Sequence, residues 1–535
     1  MGWSPDFIAG LGSGSIVPEY ELRFIDVSGS VGRQVTIGSS GIHTPSPTSA
    51  IKIDAGSVQV QGTSVVPQRW AVSFGGWSVG LTGDIRKVAF SLRRGQFTEL
   101  WCRLNGFSGF ERVAMGSLDN ISGSRGIWRL TFRDLISAFQ NSLSSFMSGG
   151  YDKFQIFNRA GISTETDATW ATSDSTMSVV NVNDWDLPTG AAALVQCFTS
   201  PTTYFFAQFT GKAAGELTGV SGVDYPIGNV AVGTLSSGST VKYVPWIQGK
   251  PWIILGRLLT STGTGSNGPF DKYPDHWALG GKIDEAVFDY YDARENNTLI
   301  KRGDGSNKYL WSHAVELPWA NGFRDLVTLS SEAGQWPVQR QGYVSWRGCS
   351  DPTGLEMGYE PRVVAHLDTS TIHQIISHEF YNSAVSTNYA ATAARVIPVT
   401  SGSSGRIVGS TNFSLNRVPS LPYRKEIERD LRFLYADDDG TGADERADMG
   451  QGDLNRMKGW DLYPSEKLVL RVSLKYAILC AGDVVEITSG FLSGLYMGSG
   501  KSFNAQRAMV LNCSYVIGSA SCVLHLGILS GREKR

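Results

Sequence analysis

Apolar and polar residues alternate with a period of two through much of the N-terminal quarter of the chain. WAVSFGGWSVGL (70–81) puts Trp70, Val72 and Phe74 on one side and then resumes as Trp77, Val79 and Leu81. The phase slips at Gly75-Gly76, which predicts a β-bulge, where an inserted residue bends a strand. Leu100, Cys102 and Leu104 alternate in ELWCRLNGF (99–107), as do Trp128, Leu130 and Phe132 in GIWRLTFRD (126–134). Leu135, Ile136, Phe139 and Leu143 then change to helical spacing. Strands closing on a short helix predict a small barrel or sandwich over 1–145.

Residues 146–250 read as short strands and turns. Pro188 and Gly190 open a strand, Ser200-Pro201 makes a turn, and Thr203–Phe209, Leu217–Val220 and GSTVKYV (238–244) follow. The period changes at 251–420, a mixed α/β middle region. PWIILGRLLT (251–260) carries proline at a helix start, and KIDEAVFDYYDAR (282–294) has Ile283, Val287 and Tyr290 or Tyr291 at helical spacing. QGYVSWRG (341–348) returns to β. Over 421–460 the pattern predicts a helix, PYRKEIERDLRFLY (422–435), with an apolar stripe of Ile427, Leu431 and Leu434. An acidic linker, ADDDGTGADERADMGQGD (436–453), follows it. From 461 to 535 the strands LVLRVSL, DVVEIT, RAMVLNCSYVI and SCVLHLGIL dominate. There LKYAILCAGDVVEIT reads as a strand, a turn at Ala481-Gly482-Asp483 and a second strand. No internal sequence repeat is evident. The expected class is mainly β with an α+β middle, strand-rich at both ends around inserted β and helical segments.

Composition fits this pattern. A chain of 535 residues predicts two to four domains, and 41% hydrophobic with 11% aromatic residues is enough for real cores. Only 18% of residues are charged, and 62 glycines suit short strands with many turns. A net charge of −2 argues against a general nucleic-acid binder. The six cysteines (Cys102, Cys197, Cys349, Cys480, Cys513 and Cys522) form no CxxC, so buried free thiols made in a reducing cytoplasm are expected rather than a zinc site or a disulfide scaffold. MGWSPDFIAGLGSGS has no basic region followed by an apolar core, so no signal peptide is expected, and no apolar run predicts a membrane segment.

Four short motifs bear on chemistry. GSGKS (498–502) resembles a phosphate-binding loop, but that loop needs a glycine at 495, which is Leu495, and a helix after it, where RAMVLNCSYVI is a strand pattern. Gly76-Trp77-Ser78-Val79-Gly80 matches G-x-S-x-G, yet Ser78 sits within strand alternation and not at a strand-to-helix elbow. His373 and His378, five apart in TSTIHQIISHEF, would point to different faces of a helix. A calcium loop starting at Asp437 offers Asp439, Thr441, Gly442 and Asp448, where position 5 should be Asp or Asn and position 12 Glu. No catalytic, cofactor or metal residue is assigned, no cofactor is expected, and the chain reads as a structural part and not an enzyme.

Several segments together resemble one family. WAVSFGGWSVGLTGD, ELWCRLNGF and FERVAMGSLDNISGSRGIWRLTFRDL resemble the first tube-like barrel of the tail hub (baseplate hub) proteins of long-tailed bacteriophages and related gene-transfer particles. DLPTGAAALVQ, TYFFAQFTGKAAGELTGVS and GSTV resemble a small β-module common in phage structural proteins. WIILGRLLTSTGTGSNGPFDKYPDHWALG and WPVQRQGYVSWRG resemble the hub's middle, and VSLKYAILCAGDVVEITSGFL its second barrel. The resemblance implies tube-like barrels over 1–145 and 461–535 and a peripheral module over 146–250. It implies a homotrimer presenting six barrels, which joins a sixfold tail tube to a threefold tip. The expected partners are a tail-tube or distal tail protein above and a tip, needle or fibre protein below. DNA would pass through the lumen without specific binding during genome ejection, and the protein would sit in the virion after assembly in the host cytoplasm. The loop FLSGLYMGSGKSFNAQ (491–506) is expected to touch another subunit or the tube. Two other readings compete: a tail-associated glycan hydrolase or depolymerase, marked by two carboxylates converging in a groove, and a receptor-binding adhesin, marked by repeats.

Overall fold

The computed structural model describes residues 3–13, 16–24, 35–44, 51–67, 71–85, 92–104, 109–124, 126–134, 163–182, 193–223, 232–244, 246–249, 311–314, 335–340, 343–348, 362–381, 393–398, 405–414, 424–431, 460, 465–493 and 502–529. The helices expected at 135–143, 251–260 and 282–294, the acidic stretch 436–453 and residues 494–501 of the 491–506 loop lie outside these residues.

The chain is mainly β, and fourteen of its strands join one sheet. Eight come from the N-terminal section: β1 (Pro18–Phe24), β2 (Val35–Gly38), β3 (Gly41–Thr44), β4 (Ile51–Gln61), β5 (Gly76–Gly83), β6 (Phe97–Leu104), β7 (Glu111–Ser124) and β8 (Ile127–Asp134). Six come from the C-terminal part: β9 (Val363–Asp368), β10 (Ile372–Tyr381), β11 (Ser465–Ser473), β12 (Val484–Ser493), β13 (Ser502–Tyr515) and β14 (Ser521–Leu529). A short helix, α1 (Pro5–Leu11), precedes them; the Ser4 hydroxyl caps it by accepting from the Phe7 N–H at 3.3 Å.

Alternation explains the strands. Trp77, Val79 and Leu81 on β5, Leu100, Cys102 and Leu104 on β6, and Leu130 and Phe132 on β8 are all buried on the core side. The phase slip before β5 is a strand break, not a bulge. Ala71–Ser73 pairs with Ser64–Val66 in a separate two-stranded sheet, and the chain re-enters the large sheet at Gly76. At Gly75 an added Cβ would lie 2.1 Å from the Gln61 carbonyl oxygen, so only glycine allows this crossing.

The same strand order occurs twice. In the first unit the pairing runs β4-β5-β8-β7-β6-β1, and in the second it runs β10-β11-β14-β13-β12-β9. Ranked by position in the chain, both paths are second, third, sixth, fifth, fourth, first. The units differ at the last strand, where β1 lies antiparallel to β6 and β9 lies parallel to β12. The β2–β3 hairpin is added only to the first unit.

Register repeats as well. Phe97 opposes Ser117 as Val484 opposes Met509, and Leu130 opposes Ile121 as Leu524 opposes Cys513. In its ladder with the sixth strand, each long strand skips a residue at the matching place, Asp119 in β7 and Leu511 in β13. Each unit also has a glycine at positive φ before its fourth strand, Gly95 at 84° and Gly482 at 88°. Gly95 N–H donates to the Leu118 carbonyl and Leu118 N–H to the Gln96 carbonyl, as Gly482 N–H does to Val510 and Val510 N–H to Asp483.

β13 joins the units by pairing with β4. One hydrophobic core runs across this join, from Phe7, Tyr20, Trp77 and Leu100 to Leu470, Ile487, Tyr515 and Leu526. The first unit curls, since β1, β2 and β3 come back against β4. Among the described residues both ladders are open at their ends.

Three expectations change. The second unit does not begin at 461, because it takes β9 and β10 from residues assigned to the middle. PYRKEIERDLRFLY is not helical over Arg424–Leu431, which is a strand paired with Gly405–Ser414. Pairing with a neighbour overrides local helix preference there. LKYAI (474–478) is a 3-10 turn, not the end of a strand, while the turn at Ala481-Gly482-Asp483 stands as expected.

Residues 163–244 hold their own core. Ser163–Glu165, Thr240–Val244, Ala193–Ser200, Thr203–Phe209 and Ser221–Val223 form a five-stranded sheet in that order. Trp170, Phe205 and Phe209 are buried between it and a three-stranded sheet that contains Glu216–Thr218.

Candidate functional site

Among the described residues, a set of polar contacts between distant parts of the chain lies where β13 meets β4. Tyr515 opposes Val60 and Ser514 opposes Gln61, and Gly62 N–H donates to the Cys513 carbonyl at 2.8 Å. The approach needs a glycine, since a Cβ at Gly62 would lie 2.6 Å from that oxygen. Leu511, the skipped residue, lets Asn512 turn toward the join. The Asn512 amide donates to the Gly62 carbonyl at 2.8 Å and to the Thr63 carbonyl at 3.3 Å. Asn512 is buried, so both bonds form away from bulk water, where an unmade one is costly.

A second set of contacts fixes the first unit to the same place. Thr63 Oγ1 donates to Asp134 Oδ2 at 3.1 Å and accepts from Gln339 N–H at 3.2 Å, while Gln339 Nε2 donates to the Met115 carbonyl at 2.6 Å. The N-terminal helix closes over the top. Trp3 Nε1 donates to the Arg112 carbonyl at 2.8 Å, and its ring meets Tyr515 edge-on at 6.2 Å. α1 packs against both β6 and the 3-10 turn Leu474–Ile478. A cavity of about 30 Å³ remains at the join, lined among others by Thr63, Trp77, Asp134, Gln339, Cys480 and Tyr515.

The chemistry of this join is mechanical. Burial pushes the Tyr515 hydroxyl well above its ordinary range, so it stays neutral. The Cys513 thiol is pushed up by its hydrogen bond with Cys522 and by burial. The thiols of Cys102 and Cys197 are also pushed up by burial, and a thiol held protonated is a poor nucleophile. Among the described residues three carboxylates are buried, and each has a separate task. Asp134 accepts from Thr63, Glu466 meets His378 Nε2 at 2.7 Å, and Asp483 accepts from the Cys480 N–H at 2.9 Å to close its turn.

The residues weighed for chemistry do not come together. Ser78 is buried in mid-strand on β5, where Arg129 Nη2 donates to it at 2.9 Å. His373 and His378 lie on strand β10 and not on a helix; His373 is exposed and His378 faces Glu466. Ser502 opens strand β13, as the sequence pattern required. Asp437, Asp439, Thr441, Gly442 and Asp448 lie outside the described residues. Sequence reasoning missed Asn512 and Gly62. Only the pairing registers reveal the match, in which Gly95, Glu99, Asn120 and Ser122 correspond to Gly482, Glu486, Asn512 and Ser514.

No protein-family model and no curated protein matches the chain. Among solved structures, the 43 kDa tail protein of prophage MuSo2 from Shewanella oneidensis aligns at 10% identity over 95% of this chain and 98% of its own, with a TM-score of 0.33. A chain from the virion of a native gene transfer agent particle aligns at 12% identity over 45% of this chain and 84% of its own, with a TM-score of 0.19.

Proposed function

We propose that this chain is a structural tail protein of a phage-like particle, acting as a hub in which each copy supplies two tube-like units to one ring. The observation that carries the reading is the repeated strand order with matched register inside a single chain. Two equivalent units held edge to edge suit a protein that must offer twice as many similar surfaces as it has copies. Three copies would present six units to a sixfold tube and a threefold face to a tip. The quoted segments that resemble hub proteins fall on both units, which supports the same reading. The near-zero net charge suits a passage that DNA crosses without stalling. The join between the units is built from buried amide and glycine contacts, which gives the ring a rigid arc.

The test is the mass of the purified 58.0 kDa chain by light scattering, with and without its particle's tail-tube protein. Trimers, alone or on tube rings, are expected. A monomer that ignores the tube protein at high concentration overturns the reading.

A further inference from the structure

The repeat makes the join between the units informative about a second, unfilled join. β4 has two paired edges, one with β5 and one with the end of β13. Its counterpart in the second unit is β10, paired with β11 on one edge; among the described residues no strand pairs with the other. The counterpart of β13 is β7. Beyond Leu118, among the described residues, no strand pairs with the edge of β7 that faces away from β8. One chain therefore carries both halves of a second join, at opposite ends of its pair of units.

We infer that β7 of one copy pairs with β10 of the next, repeating between chains the join that β13 and β4 make within one. The registers fix the contact. Val60 opposes Trp77 as His378 opposes Leu468, and Gln61 opposes Gly76 as Glu379 opposes Lys467. Ser514 and Tyr515 correspond to Ser122 and Gly123, since they oppose Val523 and Cys522 as the latter oppose Arg129 and Trp128. The pairs Ser514 with Gln61 and Tyr515 with Val60 thus become Ser122 with Glu379 and Gly123 with His378.

Two observations support a second copy as the occupant. Asn120 stands where Asn512 stands, directly after the skipped residue, but Asn512 is buried against the Gly62 and Thr63 carbonyls while Asn120 is exposed. In the inferred join its amide reaches the carbonyl of Phe380, the counterpart of Gly62. Ile375 and Ile376 are exposed on β10, at 39% and 45%, an apolar edge strand of the kind that recruits another strand. The contact is also head to tail, so repeating it generates a ring or a filament and not an isolated pair.

This deepens the proposed ring, and its test separates the edge from assembly as such. Gly62 bonds through its backbone to Cys513, so Ser514 and Gln61 form a non-hydrogen-bonded pair, whose Cα atoms lie about 4.5 Å apart, close enough for a disulfide. The full chain carrying S122C and E379C together is oxidised with copper phenanthroline in air, which removes two protons and two electrons per disulfide. Non-reducing gels should show a ladder at multiples of the chain mass, reversed by dithiothreitol. S122C alone, E379C alone, and S122C with Q374C, displaced along the edge, should not. A ladder from a chain that ignores tube protein keeps this interface and removes the hub reading. Assembly by light scattering without the ladder keeps the ring and overturns this interface. A monomer with no ladder overturns both.

Discussion

Asn512 and Asn120 stand at the same register position in the two units. Asn512 makes two buried hydrogen bonds to backbone carbonyls across the join. Its counterpart Asn120 is exposed. Asn512→Ala leaves two carbonyls short of a donor, a loss of about 1–3 kcal/mol. Asn120→Ala in the unassembled chain should fall within about 0.5 kcal/mol of the parent, as surface changes do. Urea unfolding of both variants at low concentration checks the contrast. Asn120→Ala should instead raise the concentration needed for assembly. Gly62→Ala should be worse tolerated than either, because its Cβ meets backbone oxygen and not a movable side chain. Little of this was legible in the chain. Asn and Gly carry no periodic signal, and their value comes from a strand some 450 positions away: Asn512 and Gly62 lie at a sequence separation of 450.

Elements were easier to read where one face is buried and the other is not. The alternation of β6 and β8 follows from side chains pointing to opposite faces. Reading failed where local preference and pairing disagree. Arg424–Leu431 has helical charge spacing, yet it lies in a three-stranded sheet. TSTIHQIISHEF has two adjacent isoleucines and no clean period, because β10 carries two register shifts. The turn that launches β10 has its own chemistry. Asp368 Oδ1 accepts from the Ser370 N–H and hydroxyl and from the Thr371 N–H, and these bonds, the Ser370 hydroxyl foremost, hold its carboxyl below the usual range. A carboxyl lowered in the folded state adds stability above its unfolded pKa, about 3.9, which is lost as pH falls through the lower folded value. Asp368→Asn should therefore be less stable than the parent at pH 7, and the gap should close as pH falls below the ordinary carboxyl range. Thermal melts across that range check it. An unchanged gap in acid would mean that the turn's contribution does not depend on the carboxylate's charge.

For the whole molecule, the mainly β class was legible and the duplication was not. The two units share few side chains, because a buried strand position asks only for an apolar residue of fitting size. Strand order, skipped residues and the two positive-φ glycines survive where sequence identity does not. The boundary at 461 was misplaced for a related reason. Residues 363–381 are separated from β11 by the stretch 382–464, so the unit is discontinuous in sequence though continuous in pairing. The 163–244 module has an independent core centred on Trp170, so Trp170→Ala should cost about 3–5 kcal/mol of that module's stability. The join between the β units should keep its protection from hydrogen exchange in that variant. Under the proposed function one chain supplies two equivalent units to one ring. Electron microscopy of the purified assembly, viewed down its axis and compared with its mass, tests this most directly. The account predicts twice as many similar lobes as chains, six from a trimer. As many lobes as chains, or two lobes per chain that differ in size and radius, would contradict it.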